Sequence, residues 1–145
     1  MVFVRTFRLE DVKKVMKIAD ISLKEEYDEE LFLTLYSAWN TGFFVAVQET
    51  TIVGFICGTI IPGENARVLM LAVHPLYRRQ GIGSTLMDVF IGRCTMDDVN
   101  IVVLEVRPTN NVAINFYLKR NFKPVETLED FYTNGEKALK MVKHL

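Results

Sequence analysis

The run YRRQGIGS at residues 77–84 places Gly81 and Gly83 where a strand hands over to a helix. Without side chains in the way, several backbone N–H groups can converge there on one anion. Arg78 and Arg79 add guanidinium groups that match phosphate oxygens two at a time. The diphosphate of a cofactor is the natural guest, although a softened loop with two solvated arginines would read the same from the glycines alone. Two common phosphate motifs do not fit. A dinucleotide fingerprint needs a third glycine where Leu86 stands, and a nucleotide-triphosphate loop needs a lysine where the chain has GIGST.

Glu105 interrupts the apolar run IVVLEV at 101–106. A carboxylate there costs free energy unless it is paired, hydrated or useful. It is either an ion-pair partner, with Arg107 two residues along on the same strand face, or a general base. Tyr117 in NNVAINFYLKR lies beside Ala113 and Arg120 at helical spacing, as a core aromatic or as an acid.

These groups need elements to hold them. Residues 2–7 read as a strand, and Val12, Val15, Met16 and Ala19 as one face of a helix. A second helix with Leu31, Leu35 and Trp39 ends at the NTG of 40–42. FFVAVQE and IVGFICGTII, joined through a two-threonine turn, and RVLMLAV at 67–73 form an antiparallel meander. A helix from Gly83 carries Leu86, Met87, Phe90 and Ile91, and leads into the strand 101–106. Strand, helix, strand between 67 and 106 implies a parallel pair joined by a right-handed crossover. A helix over 112–120 and a hairpin of 122–128 with 137–142, turning at Asn134 and Gly135, complete the chain. The fold class is α/β: a mixed, mostly antiparallel sheet of about seven strands, helices on both faces, one central parallel pair.

At 145 residues, with 50% hydrophobic and 24% charged positions, the chain is sized for a single domain spanning 1–145. Net charge is −1, from 17 Lys+Arg against 18 Asp+Glu, so nothing favours nucleic acid or an anionic membrane as partner. The apolar stretch at 51–61 is too short for a membrane span, and no basic-then-apolar leader opens the sequence, which points to the cytoplasm. Cys57 and Cys94 form no metal or redox motif and read as buried thiols.

Arg78, Arg79, Gln80, Gly81, Ile82 and Gly83 follow the pattern Q/R-x-x-G-x-G/A, in which the chain resembles the GNAT acyltransferase superfamily. The resemblance implies acetyl-CoA as cosubstrate, no metal, a pyrophosphate held by residues 79–84 including Ser84, and a pantetheine arm paired with the backbone of Leu71, Ala72 and Val73. LEVRPTNNVAINFYLKRNF at 104–122 looks like the LEVRxxNxxAxxxYxxxGF segment of RimI- and Ard1-type protein N-terminal acetyltransferases. Carried over, Glu105 accepts a proton, Tyr117 donates one, and Asn110 touches coenzyme A. Asn121 replaces the usual glycine, which a left-handed helix terminus tolerates.

In that subclass an LPENY-like segment and a YYxDGEDA-like hairpin close over the peptide. LKEEY at 23–27 and FYTNGEKAL at 131–139 are similar, making Glu25, Tyr27 and Tyr132 acceptor-site residues. The implied function is direct acetyl transfer to a protein or peptide N-terminal α-amine, ribosomal proteins included. A small-molecule amine or lysine acceptor, or a non-catalytic acyl-CoA-binding module, are the alternatives. An α-amine, with pKa about 7.7 to 8.0, needs only a weak base, whereas an ε-amine at about 10.4 needs a stronger one.

Overall fold

The computed structural model describes every residue except 24 and 25. Its strands are β1 (Val2–Thr6), β2 (Phe44–Gln48), β3 (Thr51–Ile61), β4 (Asn65–Val73), β5 (Ile101–Val106), β6 (Lys123–Leu128) and β7 (Ala138–His144). The α-helices are α1 (Val12–Ser22), α2 (Glu29–Ala38), α3 (Ile82–Met96) and α4 (Asn111–Lys119). The strands form one seven-stranded sheet in the order β1-β2-β3-β4-β5-β7-β6. Only β4 and β5 run parallel, α3 forming the crossover. The β2–β3 turn sits one residue earlier than the sequence suggests. Glu49 and Thr50 make it, Glu49 at φ 57°, and Thr51 already belongs to β3.

Local chemistry explains the helix boundaries. Asp28 accepts a hydrogen bond from the Leu31 N–H at 2.9 Å and so caps α2, with Glu29 and Glu30 at the positive end of the helix dipole. Asn121 adopts the left-handed conformation at φ 67° after α4, and the Phe122 N–H returns to the Tyr117 carbonyl at 3.1 Å. The side-chain spacing of α3 buries Ile82, Leu86, Met87, Phe90 and Cys94 on one face.

Two cores flank the sheet. Phe90, Leu86, Val102, Leu104 and Phe122 fill one beneath α3 and α4; Phe7, Val15, Phe32, Phe43 and Phe55 fill the other beneath α1 and α2. Strand β4 contributes to both in an instructive way. Ala66 and Val68 face the α3 side, yet Met70 and Ala72 face the α1 side. The register slips between Cys57↔Met70 and Gly58↔Val68, so Leu69 is an extra residue, and this bulge reverses the alternation of everything after it. Parallel pairing with β5 covers only Asn65–Arg67 and stops where the bulge begins. Beyond that point β4 and β5 are no longer paired, and their separated ends open a cleft.

Candidate active site

The cleft between the ends of β4 and β5 has a volume of about 860 Å³. Leu69 to Val73 line one wall, Glu105 to Arg107 the other, the start of α3 and the inner face of α4 the floor, and Tyr27 and Tyr132 the rim. The structure therefore gathers in one place nearly every residue singled out by sequence: Leu71, Ala72, Val73, Arg78, Arg79, Gly81, Ile82, Gly83, Ser84, Glu105, Asn110, Tyr117, Tyr27 and Tyr132. Gln80 is exposed on the loop and is not among the lining residues. Glu25, with Lys24, lies outside the described residues.

At the glycine turn, Gly81 is the N-cap of α3 in the left-handed conformation, φ 77°, and among the described residues no side chain caps the helix. The first-turn N–H groups thus have no intrahelical or capping partner. Arg79 also has positive φ, 64°, so two left-handed residues bend the loop into a nest of amides suited to an anion. The two glycines have different surroundings. A Cβ on Gly81 would meet nothing within 4 Å, so the space beside it is open to a ligand. A Cβ on Gly83 would lie 3.6 Å from the Phe116 ring, an ordinary packing distance, and Gly83 itself lines the cleft. Three neighbours of the loop already have protein partners. Arg78 Nε donates to the Val73 carbonyl at 3.1 Å, as does Ser22 Oγ at 3.4 Å, and Asn110 Oδ1 caps α4 by accepting from the Ala113 N–H at 3.1 Å.

On the β5 wall, Glu105 is almost enclosed, its side chain 6% exposed. Its ion-pair partner is Arg67 of β4, Nη2 to Oε2 3.2 Å, and not Arg107. The pairing Arg67↔Val103 brings the guanidinium alongside β5, whereas Arg107 stacks on the Tyr132 ring at 3.9 Å and reaches Glu136 at 3.6 Å. The contact to Arg67 lacks hydrogen-bond alignment, and the buried Oε2 has no hydrogen-bond partner among the described residues. Burial pushes the Glu105 carboxyl above its ordinary value, against the pull of Arg67 and of Lys140, which lies opposite on β7. Tyr117 packs edge-on against Phe116 and Phe122, with centroids 5.4 and 5.7 Å away. Burial, and secondarily the Tyr132 phenol, push its hydroxyl up to about 12. Both thiols are buried in the cores, and neither is a lining residue of the cleft.

Sequence reasoning missed Leu69, which only the bulge turns toward the cleft, and Arg67, whose relation to Glu105 depends on strand pairing across 38 residues. It also missed Tyr77 and Phe116, lining residues that nothing in their spacing distinguishes from packing aromatics.

The sheet splits between its parallel strands, with an uncapped glycine turn at the split and a buried carboxyl and a buried phenol lining the same cleft. Residues 10–122 match the model of the Acetyltransferase (GNAT) family, and the chain belongs to that family. It is 32% identical to the N-alpha-acetyltransferase of Saccharolobus solfataricus, over 97% of this chain and 92% of that one. A putative ribosomal protein bS18-alanine N-acetyltransferase of Bacillus subtilis is 30% identical, over 95% and 92%. The solved structure of Ard1 from Thermoplasma volcanium superposes with a TM-score of 0.96 at 36% identity, covering 99% of this chain and 97% of that one.

Proposed function

We propose that the chain is an acetyl-CoA-dependent acetyltransferase that modifies the N-terminal α-amine of proteins. The single observation that carries this reading is the cleft itself. It runs from an uncapped helix N-terminus, fit for a diphosphate, to a buried carboxyl whose Oε2 has no hydrogen-bond partner among the described residues. The relatives' names supply the acceptor class, since proteins 30% and 32% identical over nearly their full lengths are named for acetylating α-amines.

When bound, acetyl-CoA supplies the acetyl group and a thiol leaving group. The amides of residues 81–84, with Arg79, would hold its diphosphate, and the β4 edge that β5 leaves unpaired would receive the pantetheine arm. Glu105 takes the proton of the incoming ammonium, directly or through water, and its raised basicity suits an α-amine of pKa about 7.7 to 8.0. Tyr117 is protonated throughout the neutral range. Full transfer of its proton to a thiolate of pKa about 8.5 would run uphill by several kilocalories per mole, so it acts by hydrogen-bonding the developing thiolate. The buried cysteines are not placed to form an acyl-enzyme, which supports direct attack.

We assign residues 1–145 to one acetyltransferase domain. The acceptor is a protein or peptide N-terminus, with a ribosomal protein as one candidate because the Bacillus subtilis relative is named for one. Among the described residues no helix is long and apolar enough to cross a membrane. The cytoplasm, where nascent N-termini are found, is the proposed location.

Incubation with acetyl-CoA and a library of peptides bearing free N-termini, read by mass spectrometry, tests the function. An increment of one acetyl group on the α-amine is expected. Acetylation confined to lysine side chains, or none at all, would overturn the assignment.

A further inference from the structure

Arg120 follows α4 directly, yet its guanidinium does not extend into water. It lies over the Phe116 ring, 4.1 Å from the centroid, donates to the Phe116 carbonyl at 3.5 Å, and donates through Nη2 to Ser84 Oγ in the first turn of α3. Its Nε is buried and has no hydrogen-bond partner among the described residues. Among those residues no carboxylate forms an ion pair with it. A partly buried cation without a counter-ion is unfavourable. The C-terminal end of α4 and its Phe116 carbonyl offset part of that cost, while the start of α3, with Arg78 and Arg79 on the preceding loop, is a region of positive potential. Such a concentration of positive charge suits a site that receives a multiply charged anion.

The Ser84 hydroxyl explains how a residue that does not line the cleft can act on its guest. A hydroxyl has two lone pairs and one proton. Arg120 engages the oxygen, and among the described residues the proton is donated to no protein acceptor, in contrast to the neighbouring Thr85, whose hydroxyl bonds back to the Gly81 carbonyl at 3.0 Å. We propose that Arg120 is a positioning residue for the donor's diphosphate. It acts through Ser84, holding that hydroxyl as a charge-assisted donor directed into the cleft. The inference rests on reading the cleft as an acetyl-CoA site and names a residue outside the cleft lining that completes it.

The test compares two donors in the full chain: acetyl-CoA, and acetyl-pantetheine, which has no diphosphate. Coenzyme A affinity is measured separately by calorimetry. Arg120→Met is expected to weaken coenzyme A binding about tenfold and to raise KM for acetyl-CoA to a similar extent, with a much smaller change in kcat. The same substitution should alter KM for acetyl-pantetheine less than about twofold, since that donor presents no anion to Ser84. Arg120→Lys, which keeps the charge and loses the planar fork, should recover part of the loss. Adding Arg120→Met to Ser84→Ala should weaken binding little further, because both break one relay.

Equal losses with both donors would mean that Arg120 only supports α4, and would overturn the proposal. So would unchanged coenzyme A affinity, or additive losses in the double variant. If Arg120→Met fails to fold, Arg120→Lys and Ser84→Ala make the same comparison. Wild-type protein that binds coenzyme A but acetylates no peptide would refute the proposed acceptor, and the calorimetric series would still decide the role of Arg120.

Discussion

The two ends of the cleft are built on different principles. The proposed donor end is one contiguous stretch, residues 78–84, whose backbone amides are directed by two left-handed residues and the start of a helix. The proposed acceptor end is assembled from side chains far apart in sequence: Tyr27 before α2, Leu69 at the bulge in β4, Glu105 on β5, and Tyr132 between β6 and β7. A diphosphate is a fixed target that amides can recognise in any member of a family. An N-terminal peptide varies, so its site is made of parts that can change independently.

If that contrast is right, damage at the donor end should abolish everything, and damage at the acceptor rim should affect only the acceptor. Gly81→Val is the harshest test. It forces a β-branched residue to φ 77° and fills the open space beside the nest. Coenzyme A affinity should fall by at least about a hundredfold in calorimetry while circular dichroism keeps the native helix and strand signal.

Glu105→Gln sits at the junction of the two ends and should reduce kcat by about a hundredfold or more while leaving coenzyme A affinity intact. In wild type, kcat/KM should rise with pH through the raised Glu105 pKa as the carboxylate forms. Stability should run the opposite way. A carboxyl raised on folding favours the native state below its unfolded value near 4.5, and that contribution is lost as pH climbs through the raised folded value. Glu105→Gln should therefore increase Tm at pH 7 relative to wild type and have little effect at pH 4, as read by differential scanning calorimetry. A variant that loses Tm at pH 7 would mean that the pair with Arg67 outweighs burial.

The smallest effect is expected at the rim. Tyr132→Ala should raise peptide KM by about fivefold to tenfold, with coenzyme A affinity within about twofold of wild type. An equal loss on the donor side would break the comparison.

Much of this molecule is local in origin. Period-two and helical apolar spacing announced the meander, the crossover helix and the terminal hairpin, and the glycine turn marked the phosphate end, because φ > 0 and a helix start are properties of neighbouring residues. The αL terminus at Asn121 was equally readable. What the sequence left undecided depends on which residues meet across the fold. The spacing of Glu105 and Arg107 suggested a pair, but strand pairing delivered Arg67 instead. One unpaired residue, Leu69, reversed the faces of β4 beside the point where β5 separates from it. No pattern in NARVLMLAV betrays that slip, because its alternation is apolar on both faces. Sequence alone therefore determined the elements and the donor's anchor, and tertiary structure decided the cleft and the partners of its charges.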